Sequence, residues 1–228
     1  FIPNWDEGSW TWINDLAVQA DNKIIVVYRS KEDGSPNFNF GVARLTDKGD
    51  LDTSFSDNGW LSFDIGGVYD RARQVVTEAD GKISIAGWTD KFGSVDIAVL
   101  RLNGDGTVDT SFGDNGVSVI KIDGSNEFVY SAFTRLKSGK YVIAGEQRST
   151  DPNVLDSSIL VVQLNSDGSA DTAFGNNGVV AYKPTDFITD FKIGSVYDVA
   201  ETTQGKLILT GDIASIIDKN TQDLLFKS

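Results

Sequence analysis

An internal repeat is the feature that most constrains the fold of this chain. The segment RLNGDGTVDTSFGDNG at residues 101–116 recurs as QLNSDGSADTAFGNNG at residues 163–178 and, in a more divergent copy, as RLTDKGDLDTSFSDNG at residues 44–59. The Asp-Thr-x-Phe cores begin at Asp52, Asp109 and Asp171, so the copies lie 57 and 62 residues apart. Repeats of this length are typical of solenoids, propellers and arrays, in which each unit buries its apolar side against its neighbours.

Four short apolar runs in each repeat predict four strands. In the second repeat the runs are bounded by Gly, Asn or Asp turns and cover residues 73–77, 82–88, 97–102 and 117–122. A small or polar residue before Lys opens the second run, and its recurrence at Gly205-Lys206 reveals a fourth repeat. Four strands per repeat predict an all-β fold, a β-propeller built from four repeats of about 60 residues.

The repeats predict one propeller domain over residues 1–228. We expect its repeats to cover about 1–66, 67–124, 125–185 and 186–228, the last one truncated and, if the chain closes as a ring, completed by residues 1–4. The chain would then close as a four-bladed ring, or it would form a segment of a larger propeller. Because the sequence contains no Met, we also expect it to be part of a larger chain or assembly.

The direction of the chain separates repeated from variable segments. The turn between the first two strands and the Asp-Thr-x-Phe segment lie at one end of each sheet, which we call the repeated end. The opposite, variable end carries connections that differ from repeat to repeat, at residues 30–39, 89–95 and 149–158 and at the crossings 4–12, 66–71, 123–128 and 184–195. Variable loops on a rigid scaffold commonly carry binding residues.

The phrase LNxDGxxDxSFGxxG at this spacing resembles the bacterial delta-60 repeat of large secreted and surface proteins, which is presumed to form β-propellers. The resemblance covers essentially the whole chain. The first copy departs from it, with Lys48 in place of an Asp and Ser56 in place of a Gly. The resemblance implies a propeller and a secreted or cell-surface location in bacteria, and it implies no catalytic residues.

The residue types that are missing exclude several kinds of chemistry. Without Cys and His the chain has no disulfide, no thiolate metal site and no Ser-His-Asp triad. A net charge of −13 argues against nucleic acid and anionic membrane surfaces as partners. No apolar stretch approaches the roughly 20 residues of a transmembrane helix, so we expect no membrane insertion.

The Asn-x-Asp-Gly-x-x-Asp string is a candidate calcium site, since calcium binds oxygen ligands from short acidic side chains. The ligands would be Asn103, Asp105, Asp109, Asn165, Asp167 and Asp171. The alternative, which the pattern favours, is that Asp-Gly forms a tight turn and the second Asp binds neighbouring backbone N–H groups. The following aromatic residues, Phe55, Phe112 and Phe174, would then be structural core residues. We expect no other cofactor.

Aromatic residues at the variable end form the candidate ligand site. Rings beside carboxylates and Arg suit sugar rings, and they also suit protein hot spots. The candidate residues are Trp5, Trp10, Trp12, Tyr69, Arg71, Arg73, Glu127, Tyr130 and Tyr197. The alternative is that half of these rings only close the end of the core.

These features lead us to interpret the chain as a non-catalytic binding or adhesion module that recognises a glycan or an extracellular protein. One alternative is a structural spacer without a ligand. Another is a glycosidase or lyase that uses carboxylates, for which Asp15, Asp70, Glu127 and Asp198 are the candidates. Because no spacing singles out a pair among the 33 acidic residues, we expect the chain not to be an enzyme.

Overall fold

The computed structural model describes residues 12–31, 34–121, 125–149, 157–182, 196–211, 215–217 and 224–226. Of residues 125–131, 149, 157, 215–217 and 224–226 it describes the backbone alone. The fold is all-β, and each repeat forms one antiparallel four-stranded sheet whose strands follow chain order. Within these ranges, no helix has the length and apolar character needed to cross a membrane. The chain divides into two compact units, Phe1–Lys121 and Ile122–Ser228, here called unit 1 and unit 2.

Unit 1 contains two sheets, because each of its repeats supplies four strands separated by turns. The first sheet consists of β1 Ile13–Val18, β2 Ile24–Ser30, β3 Asn39–Leu45 and β4 Trp60–Phe63. The second sheet consists of β5 Arg71–Thr77, β6 Ile83–Thr89, β7 Asp96–Leu102 and β8 Val117–Ile120. The first sheet packs on β5, and a shared core includes Ile25, Val27, Phe40, Val42, Ile83 and Leu100. Each such side chain stabilises the unit by about 1.5–3 kcal/mol when it leaves water.

Unit 2 also contains two sheets. The first consists of β9 Ser125–Arg135, β10 Tyr141–Ser149, β11 Ser157–Leu164 and β12 Val179–Tyr182. The second consists of β13 Val196–Glu201, β14 Leu207–Gly211, β15 Ser215–Ile217 and β16 Leu224–Phe226. A shared core of aliphatic and aromatic side chains joins the two sheets and includes Val142, Val161, Phe174, Val199 and Leu207.

The strands of unit 2 differ from the sequence prediction in two places. β9 and β10 reach further toward the variable end than expected, since Ser125 pairs with Ser149, so part of the crossing at residues 123–128 is strand. The sequence predicts residues 224–226 as the third strand of the last repeat. They form instead the fourth strand of the sheet, β16, because β15 pairs between it and β14. These extra pairings join segments whose sequences differ from the other repeats, so the repeat pattern did not indicate them.

A β-bulge recurs near the start of the first strand in three sheets. The pairing register jumps between Ile13 and Asp15, between Ala72 and Gln74, and between Val196 and Asp198. The extra residues are Asn14, Arg73 and Tyr197. A bulge leaves one residue unpaired and re-aims its side chain, and bulges are frequent beside functional sites.

The structure of unit 1 separates the repeated and variable ends as chain direction predicts. At the repeated end, Lys23 Nζ before β2 lies 3.0 Å from Asp52 Oδ2 between β3 and β4. At the variable end, the loop before β3 pairs with the crossing to the next sheet. The Phe38 N–H donates to the Val68 carbonyl at 2.9 Å, and the Asp70 N–H donates to the Phe38 carbonyl at 2.9 Å.

Candidate functional site

One aspartate at the repeated end holds the Asp-Thr-x-Phe segment in place. In the second repeat, Asp109 Oδ2 accepts hydrogen bonds from Lys82 Nζ at 2.6 Å and from Arg101 Nε at 2.7 Å. Its Oδ1 accepts from the Ser111 hydroxyl at 2.6 Å and from the Ser111 N–H at 3.2 Å. We call this arrangement the aspartate clasp. It consists of an aspartate, a lysine, a side chain from the third strand of the sheet and the backbone N–H two residues after the aspartate.

The first repeat builds the same clasp around Asp52. Lys23 Nζ and Arg44 Nε lie 3.0 Å and 2.7 Å from its Oδ2, and the Ser54 hydroxyl donates to its Oδ1 at 2.6 Å. Arg44 Nη1 also donates to the Gly104 carbonyl of the second repeat. The clasp of one repeat is therefore bonded to the next repeat in unit 1.

The third repeat keeps the clasp with different donors. Asp171 Oδ2 accepts from Lys140 Nζ at 2.7 Å and from the Gln163 side-chain amide, which replaces the Arg of the other copies. The Ala173 N–H donates to Asp171 Oδ1 at 3.3 Å. Beside the three clasps lie the buried rings of Phe55, Phe112 and Phe174.

The clasps shift the ionisation of their aspartates. Burial by itself raises the pKa of Asp109. The hydrogen bonds from Lys82 and Ser111, together with the charge of Arg101, outweigh burial and hold the pKa of this carboxyl well below its usual range. The pKa values of Asp52 and Asp171 are lowered in the same way by their own clasp donors.

The residues of the calcium candidate do not converge on one point. Asp105 Oδ1 accepts from the Thr107 hydroxyl at 2.7 Å and from the Thr107 N–H at 3.0 Å, within its own turn, while Asp109 binds Lys82 and Arg101. Asp167 makes the same turn with Ser169. Across the ranges that the structure describes, no group of three acidic side chains is placed to hold a metal ion. Calcium binding stays a prediction that this geometry does not support.

A different cluster occupies the variable end of unit 1. The Arg29 guanidinium lies 4.3 Å from the centre of the Phe38 ring and 5.8 Å from that of Trp12. The Arg71 guanidinium lies 4.9 Å from the centre of the Trp88 ring. Phe38 stacks on Tyr69 with ring centres 5.7 Å apart. We call this cluster, with Arg73, the aromatic–arginine site.

A pocket of about 140 Å³ opens within this site. Its walls are Trp12, Asn14, Arg29, Arg71 and Arg73. Two of them, Asn14 and Arg73, are the extra residues of the bulges in β1 and β5. Asn14 Nδ2 donates to the Ala72 carbonyl at 2.7 Å, which fixes β1 against β5 at the floor of the site. The pocket has room for several water molecules or for one small polar group.

Positive charge dominates this pocket. Burial lowers the pKa of Arg29, and the neighbouring charges of Arg71 and Arg73 lower it further. At the same end of unit 1, the Asp90 carboxylate binds the backbone of a loop. Asp90 Oδ1 accepts from the Val68 and Tyr69 N–H groups at 2.7 Å and 2.9 Å.

Asp70, one of the candidate acids, closes the crossing between the two sheets. Its Oδ2 accepts from the Ile65 N–H at 2.7 Å and from the Gly67 N–H at 3.4 Å, and the residue is completely buried. Burial raises the pKa of Asp70, although the hydrogen bonds from Thr89, Ile65 and Gly67 oppose this. A carboxyl with no exposed surface cannot reach a substrate in this state, so we assign Asp70 a structural role.

The structure brings together four of the nine predicted ligand-binding residues, Trp12, Tyr69, Arg71 and Arg73. Tyr197, at the bulge of β13 in unit 2, is half exposed. Trp5 and Trp10 lie outside the described residues, and Glu127 and Tyr130 lie on β9 where the backbone alone is described. Sequence reasoning missed Asn14, Arg29 and Phe38. Arg29 could have been found, since the end of the second strand also lies at the variable end.

A family model matches three of the repeats. Residues 19–55, 78–112 and 136–174 match the model of a domain of unknown function (DUF5122) described as a beta-propeller. The three segments cover just under half of the chain, and the match supports a β-propeller repeat. Among curated proteins, none matches the chain by sequence.

Solved structures with a similar fold are glycoside hydrolases. A thermostable family-43 glycoside hydrolase is 12% identical with a TM-score of 0.51, over 96% of this chain and 75% of that protein. A sucrose-6-phosphate hydrolase from Lactobacillus gasseri is 9% identical with a TM-score of 0.50, over 94% of this chain and 47% of that protein. An endo-arabinase from Bacteroides thetaiotaomicron VPI-5482 is 12% identical with a TM-score of 0.47, over 94% and 74%. At these identities the likeness shows the fold.

Two predictions from the sequence are corrected by these comparisons. The prediction of a non-catalytic binding or adhesion module is contradicted, and so is the prediction that the chain is not an enzyme, because the similar propellers are glycoside hydrolases. The sequence prediction gave too much weight to the lack of an evident catalytic pair. Glycoside cleavage requires only two carboxylates, which an acidic chain without His can supply.

Proposed function

We propose that the chain processes carbohydrate as a glycoside hydrolase and holds its saccharide at the aromatic–arginine site of unit 1. The observation that carries this proposal is the start of β1. Trp12, Asn14 and Asp15 place an aromatic ring, an amide and a carboxylate around one bulge beside a pocket.

Each of these groups suits one part of a sugar. The Trp12 side chain is 61% exposed, and its flat face can pack on the apolar C–H face of a sugar ring. The Asn14 amide and the Arg73 guanidinium line the pocket beside it and can hydrogen-bond hydroxyl groups. Tyr69 adds a second ring that is 44% exposed.

Cleavage of a glycosidic bond needs one carboxyl group that protonates the leaving oxygen and a second that attacks the sugar or activates water. Within unit 1, Asp15 on β1 is the acid to test, because it directly follows the bulge of its strand. Asp15 does not line the pocket itself, but it follows the pocket residue Asn14. Its Oδ2 accepts a hydrogen bond from the Val75 N–H at 2.9 Å, which fixes its position.

The likeness to a family-43 glycoside hydrolase and to a sucrose-6-phosphate hydrolase supports glycoside cleavage as the reaction class. It does not identify the sugar. A secreted or surface location, the delta-60 identity of the repeat and a four-bladed ring remain predictions from the sequence and are compatible with this function.

The test is hydrolysis of a panel of chromogenic aryl glycosides and plant and bacterial polysaccharides by the purified chain. We expect turnover of at least one substrate, with a loss of at least about a hundredfold in kcat for Asp15→Asn. Asp80→Asn is the matched control, since Asp80 lies in the β5–β6 turn at the repeated end, where its carboxylate accepts a hydrogen bond from the Lys82 N–H at 3.3 Å.

Thermal unfolding of each variant separates lost catalysis from lost folding. Turnover that survives in Asp15→Asn would reject this acid. An absence of turnover across the whole panel would reject the proposed function.

A further inference from the structure

Cations are concentrated at both ends of unit 1. In the clasps of the repeated end, Lys23, Arg44, Lys82 and Arg101 lie within 3.0 Å of Asp52 or Asp109. At the variable end one pocket is lined by three arginines, Arg29, Arg71 and Arg73. Three positive charges thus surround one pocket in a chain with a net charge of −13.

Arg71 is one of these pocket arginines, and its surroundings show what the pocket can bind. Its guanidinium lies 6.0 Å or less from the ring centres of Phe38, Tyr69 and Trp88. Within the described part of the chain, its buried Nε has no hydrogen-bond partner. A buried N–H of a charged group that lacks a partner costs free energy, and an acceptor that enters the pocket would recover it.

The rings also orient the guanidinium groups. The Arg29 guanidinium lies over the Phe38 and Trp12 rings, and Phe38 is held by its stacking on Tyr69 and by its backbone pairing with the crossing. A planar guanidinium that is fixed on a ring loses less conformational entropy when it binds a ligand. Its parallel N–H groups match the two oxygens of a carboxylate, or two oxygens of a sulfate.

We propose that this pocket binds the anionic substituent of an acidic saccharide, a carboxylate or a sulfate, with Arg71 and Arg29 as its principal ligands. The proposal rests on the proposed function and defines its substrate class as acidic glycans. A volume of about 140 Å³ accommodates the anionic group, while the exposed Trp12 ring outside it packs on the sugar that carries the group.

The decisive experiment compares binding of a charged saccharide with that of its neutral form. The probes are an oligogalacturonide, its fully methyl-esterified form, a sulfated dextran oligosaccharide and the unsulfated dextran oligosaccharide, each titrated by calorimetry. We expect the charged probes to bind at least about tenfold more tightly than their neutral forms, with an advantage that shrinks as salt increases. The better of the two charged probes identifies the anion as carboxylate or sulfate.

Two variants locate the binding site. Arg71→Gln and Arg29→Gln are expected to weaken binding of the charged probe at least about tenfold and to remove most of its advantage over the neutral form. Lys48→Gln removes the same charge from an exposed turn at the repeated end, and it should bind as the unaltered chain does. Circular dichroism of each variant confirms that the sheets are intact.

The outcomes separate this proposal from the proposed function. If the methyl ester binds the unaltered chain as tightly as the free acid does, the anion pocket is refuted, whether or not a neutral glycan is cleaved. Charged probes that bind through Arg71, together with an absence of turnover across the whole hydrolysis panel, would support the pocket and reject the hydrolase.

Discussion

Asp109 connects several groups of the repeated end of its repeat through its carboxylate. It binds two cations and the backbone of the following turn, and its carboxylate is almost completely buried. Removing it would leave Lys82 and Arg101 close together without their shared anion. Leaving buried charges uncompensated is strongly destabilising.

We expect Asp109→Ala to lower the free energy of unfolding by about 3 kcal/mol. Arg101→Gln should cost only about 1 kcal/mol, because Gln163 already supplies the corresponding donor to Asp171 in the third repeat. Urea unfolding followed by tryptophan fluorescence measures both variants, since all five Trp residues lie in unit 1. Equal losses for the two variants would contradict the view that the aspartate organises the clasp.

At the scale of the strand, two glycines show how the sheets adapt to side chains that differ between repeats. Gly87 of β6 lies so close to β5 that a Cβ would be 1.9 Å from the Arg71 carbonyl oxygen. The first repeat has Tyr28 at the corresponding position of β2, and its partner across the sheet is Gly41. A Cβ on Gly41 would lie 2.5 Å from the Tyr28 ring. The glycine has thus moved to the neighbouring strand, where it makes room for the ring.

The loss of stability caused by alanine at each of these two glycines should therefore depend differently on Tyr28. We expect both Gly87→Ala and Gly41→Ala to destabilise the chain by about 2 kcal/mol, which is typical of overpacking. Tyr28→Ala should remove most of the penalty at Gly41, because it removes the ring, and none at Gly87, where the obstacle is backbone. A double-mutant cycle in urea measures this coupling. A penalty at Gly41 that is unchanged by Tyr28→Ala would show that the contact is not the cause.

The strands were predictable from the sequence because their signals are local. The bounds of β6 and β7 lie within one residue of the apolar runs at 82–88 and 97–102, since the apolar residues and the flanking turns specify both ends of a strand. The aromatic–arginine site was only half predictable. Arg29 and Phe38 join it through pairing between the loop before β3 and the crossing after β4, where Phe38 pairs with Tyr69. That pairing has no repeat-wide sequence signal, so only the folded structure shows it.

At the scale of the whole molecule, the clasps predict how stability depends on pH. The pKa values of Asp52, Asp109 and Asp171 are lower in the folded chain than the value of about 3.9 expected when it is unfolded. Below that value the unfolded chain binds more protons, so stability falls as pH falls and is fully present above about pH 5.

Urea unfolding at several pH values between about 3 and 7 tests this dependence. We expect the chain to lose stability steadily below about pH 5, and Asp109→Asn to be less stable at neutral pH but less sensitive to acid. The two proteins would then converge as the pH falls. Parallel curves would mean that Asp109 does not contribute to the acid sensitivity.

In unit 1, the clasps of Asp52 and Asp109 and the aromatic–arginine site lie at opposite ends of the same sheets. Substitutions in residues 34–38, 66–69 and 91–95 therefore leave the ion pairs of these clasps untouched, while Asp70 and Asp90 keep their bonds to the loop backbone. A gene that encodes such a chain can change its ligand by altering a few codons at one end of its sheets. The same division makes these loops natural positions for a randomised library, with the clasps as the part of the frame to keep constant.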